Sequence, residues 1–141
     1  MPLSLPLIGK RRRWEAFLAE AERAAAAADW SRCGSMVARL VEALWQRIGS
    51  EERTVVPAVT RHAVHPARTV SAIRRRHDQL TRALRDMHAA LGAQDGDVFI
   101  ASCERFIPML RRHIARAEAL LYSVGPVVCG HPLTVCLDEL L

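Results

Sequence analysis

Four stretches of apolar residues spaced three and four apart constrain this chain more than any other feature, because only an α-helix puts such positions on one side. The first runs from about Arg11 to Ala28, with Trp14, Phe17, Leu18, Ala21 and Ala25 in register. The second carries Val37, Leu40, Val41, Leu44, Ile48 and Val55, with Ser31 as its expected N-cap and an end near Pro57 to Arg61. A polar link with His62, His65 and Pro66 leads to the third, marked by Val70, Ile73, Leu80, Leu84, Met87 and Leu91, with Gly92 as its expected C-cap. The fourth opens after Asp95-Gly96-Asp97 and carries Phe99, Cys103, Phe106, Leu110 and Leu120. Pro108 inside it is expected to kink that helix or move its start. Short links between helices of similar length make neighbours antiparallel, so an all-α, up-down-up-down antiparallel four-helix bundle is predicted.

The domain plan that follows is an N-terminal extension at 1–9, the bundle at 10–125 and a docked C-terminal tail at 126–141. Half of the residues are apolar but only 5% are aromatic, so the core has to be built from Leu, Ala, Val and Ile. The longest apolar runs, such as Ala24 to Ala28, fall short of the roughly 20 residues a membrane span needs. Met1 to Ile8 precedes the basic run Lys10 to Arg13 rather than following it, the reverse of a secretory signal, and a cytoplasmic protein is expected. The formal net charge of +5 comes almost wholly from arginine, Lys10 being the only lysine. A solvated surface accounts for it better than nucleic-acid binding, although Lys10 to Arg13, Arg74 to Arg76 and Arg111-Arg112 are clusters that would attract an acidic partner.

The functional signal lies where titratable groups interrupt the apolar stripes. Glu51 stands seven after Leu44 and four before Val55, His77 four after Ile73 and three before Leu80, and His113 seven after Phe106 and three after Leu110. All three should face inward. His77 lies 15 residues before Gly92 and His113 lies 16 after Asp97, so at ~1.5 Å per residue they stand at one height. A similar count across the second link brings Glu51 level with His77. A buried carboxylate and two imidazoles at one level need partners, since an unpaired buried charge costs about 3–5 kcal/mol. Either a divalent cation or a closed hydrogen-bonded cluster would supply them.

The segments Glu51-Glu52-Arg53-Thr54-Val55-Val56-Pro57, Ile73 to Leu80 and Leu110 to Tyr122 together resemble the second, third and fourth helices of the hemerythrin-like (HHE cation-binding) family, over residues 8 to about 125. That resemblance implies a bundle binding iron and, through it, dioxygen or another small diatomic ligand. The family's complete site has two irons, five histidines and two bridging carboxylates. Here the first-helix histidine position falls on Arg13 or Trp14, the second-helix position on Arg47, and the glutamate four after His113 is replaced by Ala117. Glu51, His77, His113 and, one place further on, Glu118 are the metal ligands the resemblance leaves. Arg47, one turn before Glu51, can pair with it and place a fixed positive charge where the family places a cation. Iron, in a mononuclear or incomplete di-iron site, or zinc are the expected cofactors, with a metal-free Glu51-Arg47-His77-His113 cluster as the alternative.

The remaining features are read more simply. Cys129, His131 and Cys136, with His62 or His65, would make a zinc clip only with an unusual spacing, and ordinary loop and tail residues are expected instead. His88 suits the C-terminal end of its helix. Trp14, Trp30 and Trp45 read as core or interface anchors, and Cys103 as a small apolar core residue. The apolar tail from Val127 to Leu141 is expected to dock on the bundle or to mediate a homodimer. No phosphate loop, nucleophile elbow or zinc-protease motif is present. The expected function is therefore a cation-binding sensor or scavenger of metal or small diatomic ligands, or else a metal-free helical interaction or regulatory module, and not a catalyst.

Overall fold

Each apolar stripe forms a helix, and the helices run longer than their stripes. The computed structural model describes the backbone of residues 4–128 and the side chains of 14–120 and 123. In chain order these are α1 (Ser4–Ala26), α2 (Trp30–Ser50), a π-helical turn (Glu51–Val55), α3 (Val56–His62), α4 (Pro66–Gly92) and α5 (Gly96–Val128). Among the described residues there is no strand, and no helix is long and apolar enough to cross a membrane. α2, the π turn and α3 follow one another without a break, so the described residues make four rods. α1 packs along α2 and α5, and α4 along α5 and α2, which closes them into a bundle.

The interior has two apolar layers. The larger is built from Trp14, Leu18, Leu40, Leu44, Leu80, Met87, Phe99, Cys103, Phe106 and Leu110. The smaller holds Val55, Val56, Val59 and Ile73. Glu51, His77 and His113 come between members of the two along their helices, so the polar groups form a buried stratum between two apolar ones.

Local chemistry explains four departures from the expected elements. Asp29, not Ser31, caps α2: its carboxylate accepts from the Arg32 N–H at 3.2 Å. The turn before it is closed by Ala28 at φ 56°, with the Asp29 N–H donating to the Ala24 carbonyl at 2.8 Å. Gly92 is the last residue of α4 rather than its left-handed cap, a conformation taken by Gln94 at φ 52°. Pro57 does not end the second rod, because the π turn before it opens the backbone by one residue; the Val56 N–H bonds the Glu51 carbonyl five residues back. Pro108 does not move the start of α5, which opens at Gly96 and runs on past it; the proline and Glu104, whose carbonyl it leaves without an N–H, are both exposed. α1 also begins upstream of the first stripe, at Ser4. Replacing the cap, Asp29→Ala, should cost about 1 kcal/mol of stability in urea unfolding, with Ser31→Ala near zero.

Candidate metal centre

The site begins with the π turn. An uninterrupted α-helix would rotate Val56 off the side that carries Leu44 and Glu51; with the extra residue in the turn, Glu51, Val55, Val56 and Val59 are all in the interior. Glu51 is 1% exposed, and its carboxylate Oε2 lies 2.6 Å from His77 Nε2 on α4 and 2.9 Å from His113 Nε2 on α5. The two imidazoles meet edge to face, with centroids 5.3 Å apart. The donor atoms of the three residues all lie within 4.8 Å of one another. One turn before Glu51, Arg47 is 3% exposed, with Nη2 3.7 Å from Glu51 Oε1. Glu52, half-buried, sets a carboxylate oxygen 3.7 Å from His77 Nδ1, on the far side of that ring from Glu51.

Electrostatics keep Glu51 ionised. Burial alone would raise its pKa, but the hydrogen bonds from His113 and His77 and the charge of Arg47 outweigh it and hold the carboxyl at about 2. For His113 burial wins: although Glu51 favours the charged ring, desolvation together with Arg47 and His77 pushes its pKa down. An ionised carboxylate only accepts, so in the absence of a cation both Nε2 atoms carry the hydrogen and donate to it. His113 Nδ1 is then a buried lone pair with no hydrogen-bond partner in the protein.

The structure brings Glu51, His77, His113 and Arg47 together. It does not bring Glu118 into the group whose donor atoms converge; that residue is half-buried further along α5. Trp14, at the first-helix position, is packed in the apolar core and offers no ligand. Trp45, expected as a core or interface anchor, is 53% exposed and so lies outside the core, while Cys103 packs there as expected. His62, His65 and His88 are exposed. The proposed zinc clip of Cys129, His131 and Cys136, and the docking or dimerisation of the tail, lie outside the described residues. The π turn and Asp29 were missed. The first had a signal, since Val56, next to Val55 in the chain, cannot share the α-helical stripe that carries Leu44, Glu51 and Val55.

One carboxylate oxygen and two imidazole nitrogens suit iron or zinc. Ligand atoms about 2.0–2.1 Å from such an ion stand roughly 2.9–3.4 Å apart, so the His113–Glu51 separation already fits and the His77–Glu51 one is shorter by a few tenths of an ångström. Glu52, 3.7 Å from His77 Nδ1, stands where an outer carboxylate would sit, though beyond hydrogen-bond length. The residues present therefore fit one cation, and with Arg47 and Trp14 at the positions of further histidines they do not fit two. No curated protein and no solved structure matches the chain. The family model described as the hemerythrin HHE cation binding domain does, over residues 11–124. With most of its length covered by that match and its carboxylate and imidazoles converging in a buried layer, the chain belongs to the hemerythrin HHE cation-binding domain family.

Proposed function

We propose that this protein holds a single iron or zinc ion between Glu51, His77 and His113, and serves as a sensor or scavenger of the metal or of a small diatomic ligand on it. The observation that carries this reading is the convergence of three donor atoms from two of the bundle's rods and the π turn on one buried point. An ion there would supply a Lewis acid with open coordination positions, because the protein offers three ligands. The bundle is read as up-down-up-down: Glu20 pairs with Arg32 across the first link, Glu52 with Arg74 across the second, and Glu15 with Arg111 between α1 and α5, as alternating directions require.

A second reading has its own observation. The Arg47 guanidinium stands against Glu51 in the buried layer, and an ion bound there would face this fixed positive charge. In that reading the Glu51-Arg47-His77-His113 cluster is closed without metal, and the chain is a helical interaction or regulatory module.

Elemental analysis of protein purified from iron- and zinc-replete medium separates the two. The first reading predicts near-stoichiometric metal in the wild type and affinity lowered roughly tenfold or more in His77→Ala and His113→Ala, since each removes a ligand. It also predicts tighter binding in Arg47→Ala, where the repelling charge is gone. Wild-type protein that stays metal-free under these conditions favours the second reading.

A further inference from the structure

Beside the buried cluster, between α4 and α5, is a cavity of about 410 Å³ whose wall includes Arg76, Gln79, Arg112, His113 and Arg116. Arg76 and Gln79 are one turn apart on α4, and Arg112 and Arg116 one turn apart on α5. Three guanidinium groups thus come from two helices to one cavity, and no carboxylate is among its lining residues. The basic residues nearby are balanced elsewhere: Arg74 pairs with Glu52 and Arg111 with Glu15, whereas none of Arg76, Arg112 and Arg116 makes a salt bridge among the described residues. Like charges one helical turn apart repel, and those facing across a groove do so too.

Two further atoms point the same way. Arg76 Nε and His113 Nδ1 are buried and have no hydrogen-bond partner in the protein, and both residues line this cavity. Buried polar groups are satisfied in the great majority of cases, so two orphans on residues that line one cavity are bonds the protein's own groups leave open. Guanidinium groups converging on a polar cavity are matched by an oxyanion with several acceptor oxygens, which takes paired N–H donors from each. The volume lies within the ~300–1,000 Å³ range of small-ligand sites and exceeds what a bare ion needs.

We infer that the cavity between α4 and α5 is an anion site that binds a phosphate group, free or carried on a small organic molecule, through Arg76, Arg112 and Arg116. It does not depend on whether a cation is bound at Glu51.

The test is calorimetric titration of the full-length protein with inorganic phosphate, and separately with glycerol phosphate, at constant ionic strength. Saturable binding at one site per chain is expected for at least one of them, and tighter binding of the second assigns the organic phosphate as the source. Arg112→Gln and Arg116→Gln, both exposed and neutral to the fold, should weaken binding roughly tenfold or more. Arg76→Gln should do the same, with helical circular dichroism checking that it folds. Arg75→Gln removes the same charge from α4 outside the cavity and should leave affinity within about twofold. Absence of saturable binding to either phosphate would overturn the inference, since water alone then completes Arg76 and His113. So would an Arg75→Gln loss equal to that of Arg116→Gln, or duplex DNA binding that all four variants weaken alike, because a diffuse cationic surface would then be responsible.

Discussion

Replacing Glu51 by alanine should cost about 3–5 kcal/mol of folding stability, the cost typical of breaking a buried ion pair by removing one partner. The carboxylate accepts from two imidazoles and faces a guanidinium in a layer closed on both sides by apolar side chains. Its removal leaves two buried N–H donors without their acceptor and the Arg47 charge without Glu51 to offset it. Glu51→Gln should fall between wild type and alanine, because the amide oxygen still accepts one hydrogen bond while the charge is lost. Glu52→Ala is the control: its carboxylate is partly exposed and its contacts at 3.3 Å with Arg74 and 3.7 Å with His77 are those of a surface pair, worth at most about 1 kcal/mol. Urea unfolding followed by circular dichroism measures all three. A Glu51→Ala cost no larger than that of Glu52→Ala would mean that the polar layer is not the closed, mutually dependent cluster described here.

The second large effect is acid sensitivity of the metal-free protein. Glu51 titrates at about 2 when folded against 4.5 for the ordinary carboxyl, so the unfolded chain takes up the proton first as the pH drops. The stabilisation is complete above the unfolded value and disappears between pH 4.5 and about 2, amounting to about 3 kcal/mol at 1.36 kcal/mol per unit. His113 adds to it with the same sign. Its folded pKa lies below 6.5, so below that pH the unfolded state again binds more protons and stability begins to fall. Stability should therefore be greatest near neutrality, decline from about pH 6.5 and drop steeply below pH 4.5. In Glu51→Ala the steep part should be missing, and the difference between the two curves isolates Glu51 from the other carboxylates. Parallel curves for wild type and variant, or wild-type stability that rises on acidification, would contradict this assignment.

Much of this architecture is legible in the sequence because helical packing leaves a strict imprint. Leu80, Leu84 and Met87 have to share a side of α4, and His77 shares it with them whatever its role. Counting residues from the link between α4 and α5 then fixes His77 and His113 at one height, since every residue advances the helix by the same rise. What the sequence hides is tertiary in origin. Arg47 falls on the inward stripe, but a long side chain can bury its stem and turn its head to solvent, so position alone does not decide where the guanidinium ends. The structure places it in the core, against Glu51. Pro57 reads as a terminator because its missing N–H ends most helices, and only the π turn ahead of it lets the rod continue to His62. Pro108, expected to kink α5 or move its start, is exposed and leaves that start at Gly96. The arginine-lined cavity was invisible for a different reason. Its members are separated by about 40 residues of sequence, and in each segment they look like parts of an ordinary basic surface.

The polar stratum also explains why the chain keeps groups that burial penalises. Leu or Met at Glu51, His77 and His113 would pack more cheaply, and buried ionic clusters are often no more stable than apolar replacements. Three donors at one height, converging within 4.8 Å of one another, are a group that could hold a metal ion.

The most direct test of the single-cation site is stoichiometry. Protein stripped with chelator should be titrated anaerobically with Fe²⁺, and in parallel with Zn²⁺, by calorimetry, with Glu51→Gln as the control that keeps the shape of the site. One ion per chain in the wild type, abolished in Glu51→Gln, is the predicted result. Saturation at two ions per chain, binding that survives in Glu51→Gln, or no binding of either metal would contradict it.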